Sequence, residues 1–132
     1  MGSPFGLVVD DDPGVRCLFA EVLRHAGLVV VEASSGNEAL RLAQSPNLAF
    51  VVTDIEMPDG DGWDLCRHLR GSSRATRLPI VVVTGIPLNQ FAAATAAGCD
   101  AVLEKPCSPA LLVATIRQLL ASTPERADRV QL

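Results

Sequence analysis

Five short apolar runs, each followed by a stretch with helical spacing, divide this chain from end to end, and that alternation leaves few folds open to it. The runs are FGLVVD at 5–10, LVVVE at 28–32, LAFVVTD at 48–54, LPIVVVT at 78–84 and AVLE at 101–104. Four are almost continuous Val, Leu, Ile or Phe, the composition of strands covered by helices on both faces, and strands of that kind pair in parallel. Parallel neighbours joined through helices cross over right-handed, which gives a three-layer, doubly wound α/β sandwich. The chain's 132 residues suffice for one domain with a real core. We expect that domain over 1–121, with 122–132 as a C-terminal tail or the start of a linker.

The helices carry their own signals. Val15, Leu18, Phe19, Val22, Leu23 and Ala26 recur at helical spacing after Asp12 and Pro13, an N-cap and a first-turn proline, and Gly27 marks the stop. Ser35 and Glu38 have capping-box spacing before a second helix with Ala39, Leu40 and Ala43 inward. A third, short helix covers 63–70 with Leu65 and Leu69 inward, and Trp63 at its start reads as a packed surface aromatic. An Ala-rich fourth helix is expected within 88–97, with a poorly marked apolar stripe. The last helix follows Ser108 and Pro109 and buries Leu111, Leu112, Thr115, Ile116, Leu119 and Leu120.

A formal charge of −4 with no basic cluster gives no footprint for direct nucleic-acid binding. No apolar run approaches the roughly 20 residues of a membrane span, and residues 1–9 do not form a signal peptide, so a cytoplasmic location is expected. Cys17, Cys66, Cys99 and Cys107 include no CxxC pair and are expected as free thiols, those in helix patterns acting as small apolar residues. His25 and His68 have no second ligand nearby and read as structural or solvent-facing.

Charge distribution points to the chemistry. Eight of the fifteen acids fall within 10–12 and 54–64. In a doubly wound sheet, polar residues at the carboxyl ends of the strands converge on one crevice. Here those ends supply Asp10, Asp11 and Asp12, then Asp54, then Thr84, then Lys105. Two carboxylates about 4 Å apart repel by about 4 kcal/mol at an effective dielectric near 20, so the cluster calls for a cation. With no Cys or His beside it, a hard ion with oxygen ligands fits, and Mg²⁺ commonly completes its octahedron with a phosphate oxygen. A lone strand-end carboxylate, Asp54, is placed to attack a phosphoryl group in line. Asp10 and Asp11 would hold the metal, while the ammonium of Lys105 and the hydroxyl of Thr84 would take phosphoryl oxygens.

The set VVDDDP (8–13), VVTDIEMPDGDG (51–62), PIVVVTG (79–85) and GCDAVLEKP (98–106) resembles the receiver domain of two-component response regulators over almost the whole chain. The resemblance implies a flavodoxin-like fold, five parallel strands in the order 2-1-3-4-5 with five helices. It implies a phosphoacceptor switch that takes a phosphoryl group onto Asp54 from a histidine kinase or phosphotransfer protein, with at most slow loss of its own phosphate. Asp10 and Asp11 match the acidic metal pair, the backbone carbonyl of Glu56 the third protein ligand, Thr84 the switch hydroxyl and Lys105 the family's lysine, with a cis bond to Pro106 expected. A downstream protein partner would read the face made by the fourth helix, fifth strand and fifth helix, and a phosphorylation-dependent dimer is a further implied association.

One position departs from the family's pattern. Receivers often carry Tyr or Phe on the fifth strand where this chain has Val102, and the chain contains no Tyr, so an aromatic ring cannot couple to the switch hydroxyl there. Two other readings are open to these residues. A receiver-like module that no longer accepts phosphate is disfavoured by the full residue set. A Mg²⁺-dependent phosphatase with Glu56 as acid or base is disfavoured by the DxE spacing and the lack of a cap to shield a substrate.

Overall fold

The structure, a computed structural model, describes residues 2–57, 62–71, 78–85 and 98–122. Five strands form one parallel sheet in the order β2-β1-β3-β4-β5: β1 (Phe5–Val9), β2 (Val30–Ala33), β3 (Leu48–Thr53), β4 (Ile80–Thr84) and β5 (Ala101–Glu104). Helices α1 (Pro13–His25), α2 (Gly36–Leu42), α3 (Gly62–Gly71) and a C-terminal helix (Pro109–Ser122) complete the described elements. The Ala-rich helix expected within 88–97 lies outside the described residues.

Alternation along the three central strands explains the two layers of core. Leu7, Val9, Val51, Ile80 and Val82 face one side, where Ala39 of α2 and Trp63, Leu65, Cys66 and Leu69 of α3 cover them. Val8, Phe50, Val52, Val81 and Val83 face the other, under Phe19, Ala20 and Leu23 of α1 and Leu112, Ile116 and Leu120 of the C-terminal helix. Strands buried on both sides in this way show no polar alternation, and each fully buried Leu, Ile or Phe contributes about 1.5–3 kcal/mol. Gly6 leaves room for the ring of Phe50, which a Cβ would meet at 2.1 Å.

Caps form as the sequence indicates. The Asp12 carboxylate accepts from Gly14 N and Val15 N at the start of α1, and Gly27 adopts φ 90 beyond its end. Ser35 Oγ accepts from Glu38 N, while the Glu38 carboxylate reaches back to Ser34 N rather than to Ser35. Ser108 Oγ accepts from Leu111 N.

Four burial expectations are corrected. Leu18 and Leu111, expected inward, are 59% and 51% exposed. Successive helix positions lie about 100° apart, so the stripes Phe19–Leu23 and Leu112–Ile116–Leu120 take the inward direction and turn their neighbours aside. Leu18 instead lines an open groove of about 620 Å³ between α1 and the C-terminal helix. Cys17 is exposed and makes no core contact of the kind Cys66 makes. Trp63 is buried rather than a surface aromatic.

A candidate phosphoryl-transfer site at the strand ends

Sheet order decides which strand ends become neighbours. β1 and β3 are adjacent, with Val9 opposite Thr53, so Asp10 and Asp54, one residue beyond each, emerge side by side; Asp54 N donates to Val9 O at 3.0 Å. On the other side of β3 lies β4, ending in buried Thr84, and then β5, where Lys105 N donates to Thr84 O at 2.8 Å. The Lys105 side chain crosses back over β4, bringing Nζ to 3.2 Å from Asp10 Oδ2 and 3.5 Å from Asp54 Oδ2. The Lys105–Pro106 bond is cis, as the resemblance implied.

Carboxylate oxygens of Asp10, Asp11 and Asp54 lie within 4.8 Å of one another. All are hard oxygen donors with no thiol or imidazole among them, a donor set that fits an ion such as Mg²⁺ and not zinc. Asp12 belongs to the same acidic run but is occupied in capping α1. The Glu56 side chain is exposed and not among the clustered carboxylates; the resemblance assigned it a role through its backbone carbonyl. Asp59 and Asp61 lie outside the described residues.

Each group is held. Asp10 is 2% exposed; its Oδ1 accepts from Asp12 N at 3.0 Å and its Oδ2 faces Lys105. Burial pushes the Asp10 carboxyl above the usual value of 3.8, and the Asp54 charge adds to that, against the lowering effect of the Asp12 amide and the Lys105 ammonium. For Lys105 burial is the largest single influence and lowers its affinity for a proton, yet Asp10 and Asp54 together outweigh it and hold the ammonium above 10.5. Asp54 Oδ1 accepts from Ile55 N at 2.7 Å, so one oxygen is fixed by backbone while the other faces the ammonium. Thr53 Oγ1 donates to Asp54 O at 2.8 Å.

Two further contacts support the site, neither of them legible in the sequence. Arg16 donates to the Asp10 carbonyl at 2.9 Å. Gly62 N donates to Ile55 O at 2.7 Å, and a Cβ on Gly62 would lie 2.1 Å from Asp54 O and 2.9 Å from Ile55 Cα. The close approach of α3 to the site was not legible in the sequence. Gly62→Ala is expected to cost about 3 kcal/mol, as overpacking against backbone does, and to lower the thermal midpoint by roughly 10 °C; a melt within two or three degrees of wild type would contradict that contact.

The sequence profile of the response regulator receiver domain matches residues 7–117. The chain belongs to that family. Response regulator MprA of Mycolicibacterium vanbaalenii is 41% identical over 118 residues, covering 89% of this chain and 50% of that protein. Response regulator Rre1 of Synechocystis is 36% identical over 131 residues, 97% of this chain and 57% of that protein. The chain thus spans about half the length of these curated relatives. Among solved structures, the chemotaxis response regulator CheY4 of Vibrio cholerae superposes with a TM-score of 0.83 at 28% identity, covering 90% of this chain and all of that one. This receiver domain is a module of two-component signalling. Its acidic cluster could hold a metal, and among the described residues no helix is long and apolar enough to cross a membrane.

Proposed function

We propose that Asp54 is the phosphoacceptor of this receiver, working with Mg²⁺ held by Asp10, Asp11, Asp54 and the carbonyl of Glu56, in a cytoplasmic protein. The observation that carries the reading is the position of Lys105 Nζ between the Asp10 and Asp54 carboxylates. An ammonium bridging two acids at the mouth of a sheet has the placement needed to take a phosphoryl oxygen as charge develops on it. When bound, the metal neutralises charge on the transferring group's outer oxygens.

The Asp54 carboxylate attacks phosphorus in line with the leaving nitrogen of a donor phosphohistidine. The new bond is O–P, the broken bond N–P, and the released imidazole retains the electron pair and takes up a proton. The work asked of the protein is positioning and electrostatics. Ile55 N fixes one oxygen of Asp54, Lys105 faces the other, and Thr84, buried at the end of β4, donates its hydroxyl to the phosphoryl group. Water removes the phosphoryl group slowly, with no substrate turned over besides. The donor is a histidine kinase or a histidine phosphotransfer protein.

Phosphorylation adds roughly −1.5 to −2 charge. Val102 lies opposite Val82 in the ladder and packs half-buried against the α2–α3 layer, so no ring on β5 relays the change. The response passes through Thr84 and the backbone of β4 and β5 toward a protein partner on the β5 and C-terminal helix face. Intact-mass measurement after acetyl phosphate tests the reading: one phosphoryl group is gained with Mg²⁺ and none with a chelator. Equal labelling in both would overturn it.

A further inference from the structure

Asp10 and Asp11 are joined by one peptide group, and that group is held from outside the acidic run. Its carbonyl oxygen, Asp10 O, accepts from Arg16 Nη1 at 2.9 Å. The same guanidinium is anchored on the edge strand, with Nε 3.2 Å from Glu32 Oε1. Glu32 is fixed in turn by Arg24, whose Nη1 lies 3.5 Å from Oε2 and whose Nη2 donates to Val30 O at 3.2 Å. A chain of contacts therefore runs from β2 through Glu32 and Arg16 to the peptide plane connecting two of the three clustered carboxylates.

We propose that Arg16 is a positioning residue for the metal pair: by fixing the rotation of the Asp10–Asp11 peptide, it sets how the two carboxylates are presented to a divalent cation. The inference rests on the Mg²⁺ site proposed above. A peptide group is planar, so turning its carbonyl swings Asp11 relative to Asp10. Asp10 itself is already held at both carboxylate oxygens, which leaves the exposed Asp11 as the ligand that Arg16 governs.

Two simpler roles make different predictions. As a surface ion pair, with Arg16 and Glu32 side chains 20% and 30% exposed, the contact contributes little to stability, and its loss would leave metal affinity alone. As a bare positive charge near the site, Arg16 would repel a cation, and its loss would tighten binding. A positioning role alone predicts weaker binding on removal, since groups that orient metal ligands typically govern affinity by tenfold or more.

The test is calorimetric Mg²⁺ titration of the wild-type chain, Arg16→Ala, Arg16→Lys, Glu32→Gln and the Arg16→Ala/Glu32→Gln double variant, with thermal unfolding in chelator. Arg16→Ala is expected to raise the Mg²⁺ dissociation constant about tenfold. Arg16→Lys, which reaches only one partner, and Glu32→Gln should each raise it two- to threefold on the same scale, and the double variant no more than Arg16→Ala alone, as residues acting in series do. Acetyl phosphate labelling by Arg16→Ala should slow at limiting Mg²⁺ and recover at saturating Mg²⁺. Unchanged or tighter binding in Arg16→Ala overturns the proposal while leaving the proposed function standing. Should that variant fail to fold, wild-type affinity in both Arg16→Lys and Glu32→Gln does the same. A wild-type chain that binds no Mg²⁺ overturns both.

Discussion

Asp54→Asn is expected to reduce phosphoryl labelling by acetyl phosphate and Mg²⁺ by on the order of 100-fold or more, the scale on which loss of a nucleophile acts. The substitution is nearly isosteric. An amide oxygen still accepts the Ile55 N–H that fixes one side of the group, Lys105 keeps Asp10 as a partner at 3.2 Å, and the two core layers are untouched. The fold is therefore expected to persist while the carboxylate proposed as nucleophile is gone. Intact-mass spectrometry reads the outcome directly, and circular dichroism of the same samples verifies folding. A folded variant that labels like wild type would move the acceptor to another group, with Asp11 the next exposed acid of the cluster.

Asp10→Asn is expected to act in opposite directions on metal binding and on stability. Asp10 is the most buried of the three clustered carboxylates, and burial holds its carboxyl above 3.8 in the folded chain. A folded pKa above the unfolded one means that the native state binds more protons. The linked stability is fully present below the unfolded value and is lost as pH rises through the folded one. At neutral pH the metal-free protein thus carries an unfavourable buried charge. Asparagine removes that charge, retains an acceptor for Asp12 N, and leaves Lys105 paired with Asp54. The expected gain is on the order of 1 kcal/mol, a few degrees in thermal midpoint, in chelator at pH 7. It should shrink as pH falls through the Asp10 titration. Mg²⁺ should bind the variant 10-fold to 100-fold more weakly, as loss of a charged oxygen ligand demands, and so stabilise it far less than wild type. The Lys105 contribution does not disturb the comparison: with its pKa held above 10.5, it is constant throughout this window. A variant less stable than wild type without metal would show that the Lys105 pairing outweighs burial at Asp10.

Much of this was legible because the strands are nearly pure in composition. A run such as AFVVTD allows few placements once parallel pairing is accepted, and Asp54 follows β3 by necessity. Asp10 was legible for the same reason, being the first polar residue beyond an apolar run, and Lys105 because it directly follows the last strand. Boundaries were less so: the second strand begins at Val30, because Leu28 N turns back to Leu23 O to close α1. The faces of Leu18 and Leu111 depend on how α1 and the C-terminal helix lean on the sheet, which a stripe of apolar letters does not encode. Arg16 was illegible for a different reason. Its partners, Asp10 O and Glu32, lie 6 and 16 residues away on separate elements, and one of them is a backbone atom available at every position of any chain. The Val102 departure was plain in the letters, and the half-buried position it occupies beside Val82 is where a larger side chain would have had to pack.

The ends of β1, β3 and β5 are proposed to form one basin that takes up a divalent ion. Amide-resolved NMR during a Mg²⁺ titration tests it most directly. Saturable shifts are expected, largest at Asp10, Asp11, Asp12, Asp54, Ile55 and Lys105 and fading toward the opposite end of the sheet at Phe5 and Leu48. Shifts spread evenly over the exposed acids, or centred on Glu21 and Glu38 instead, would contradict it.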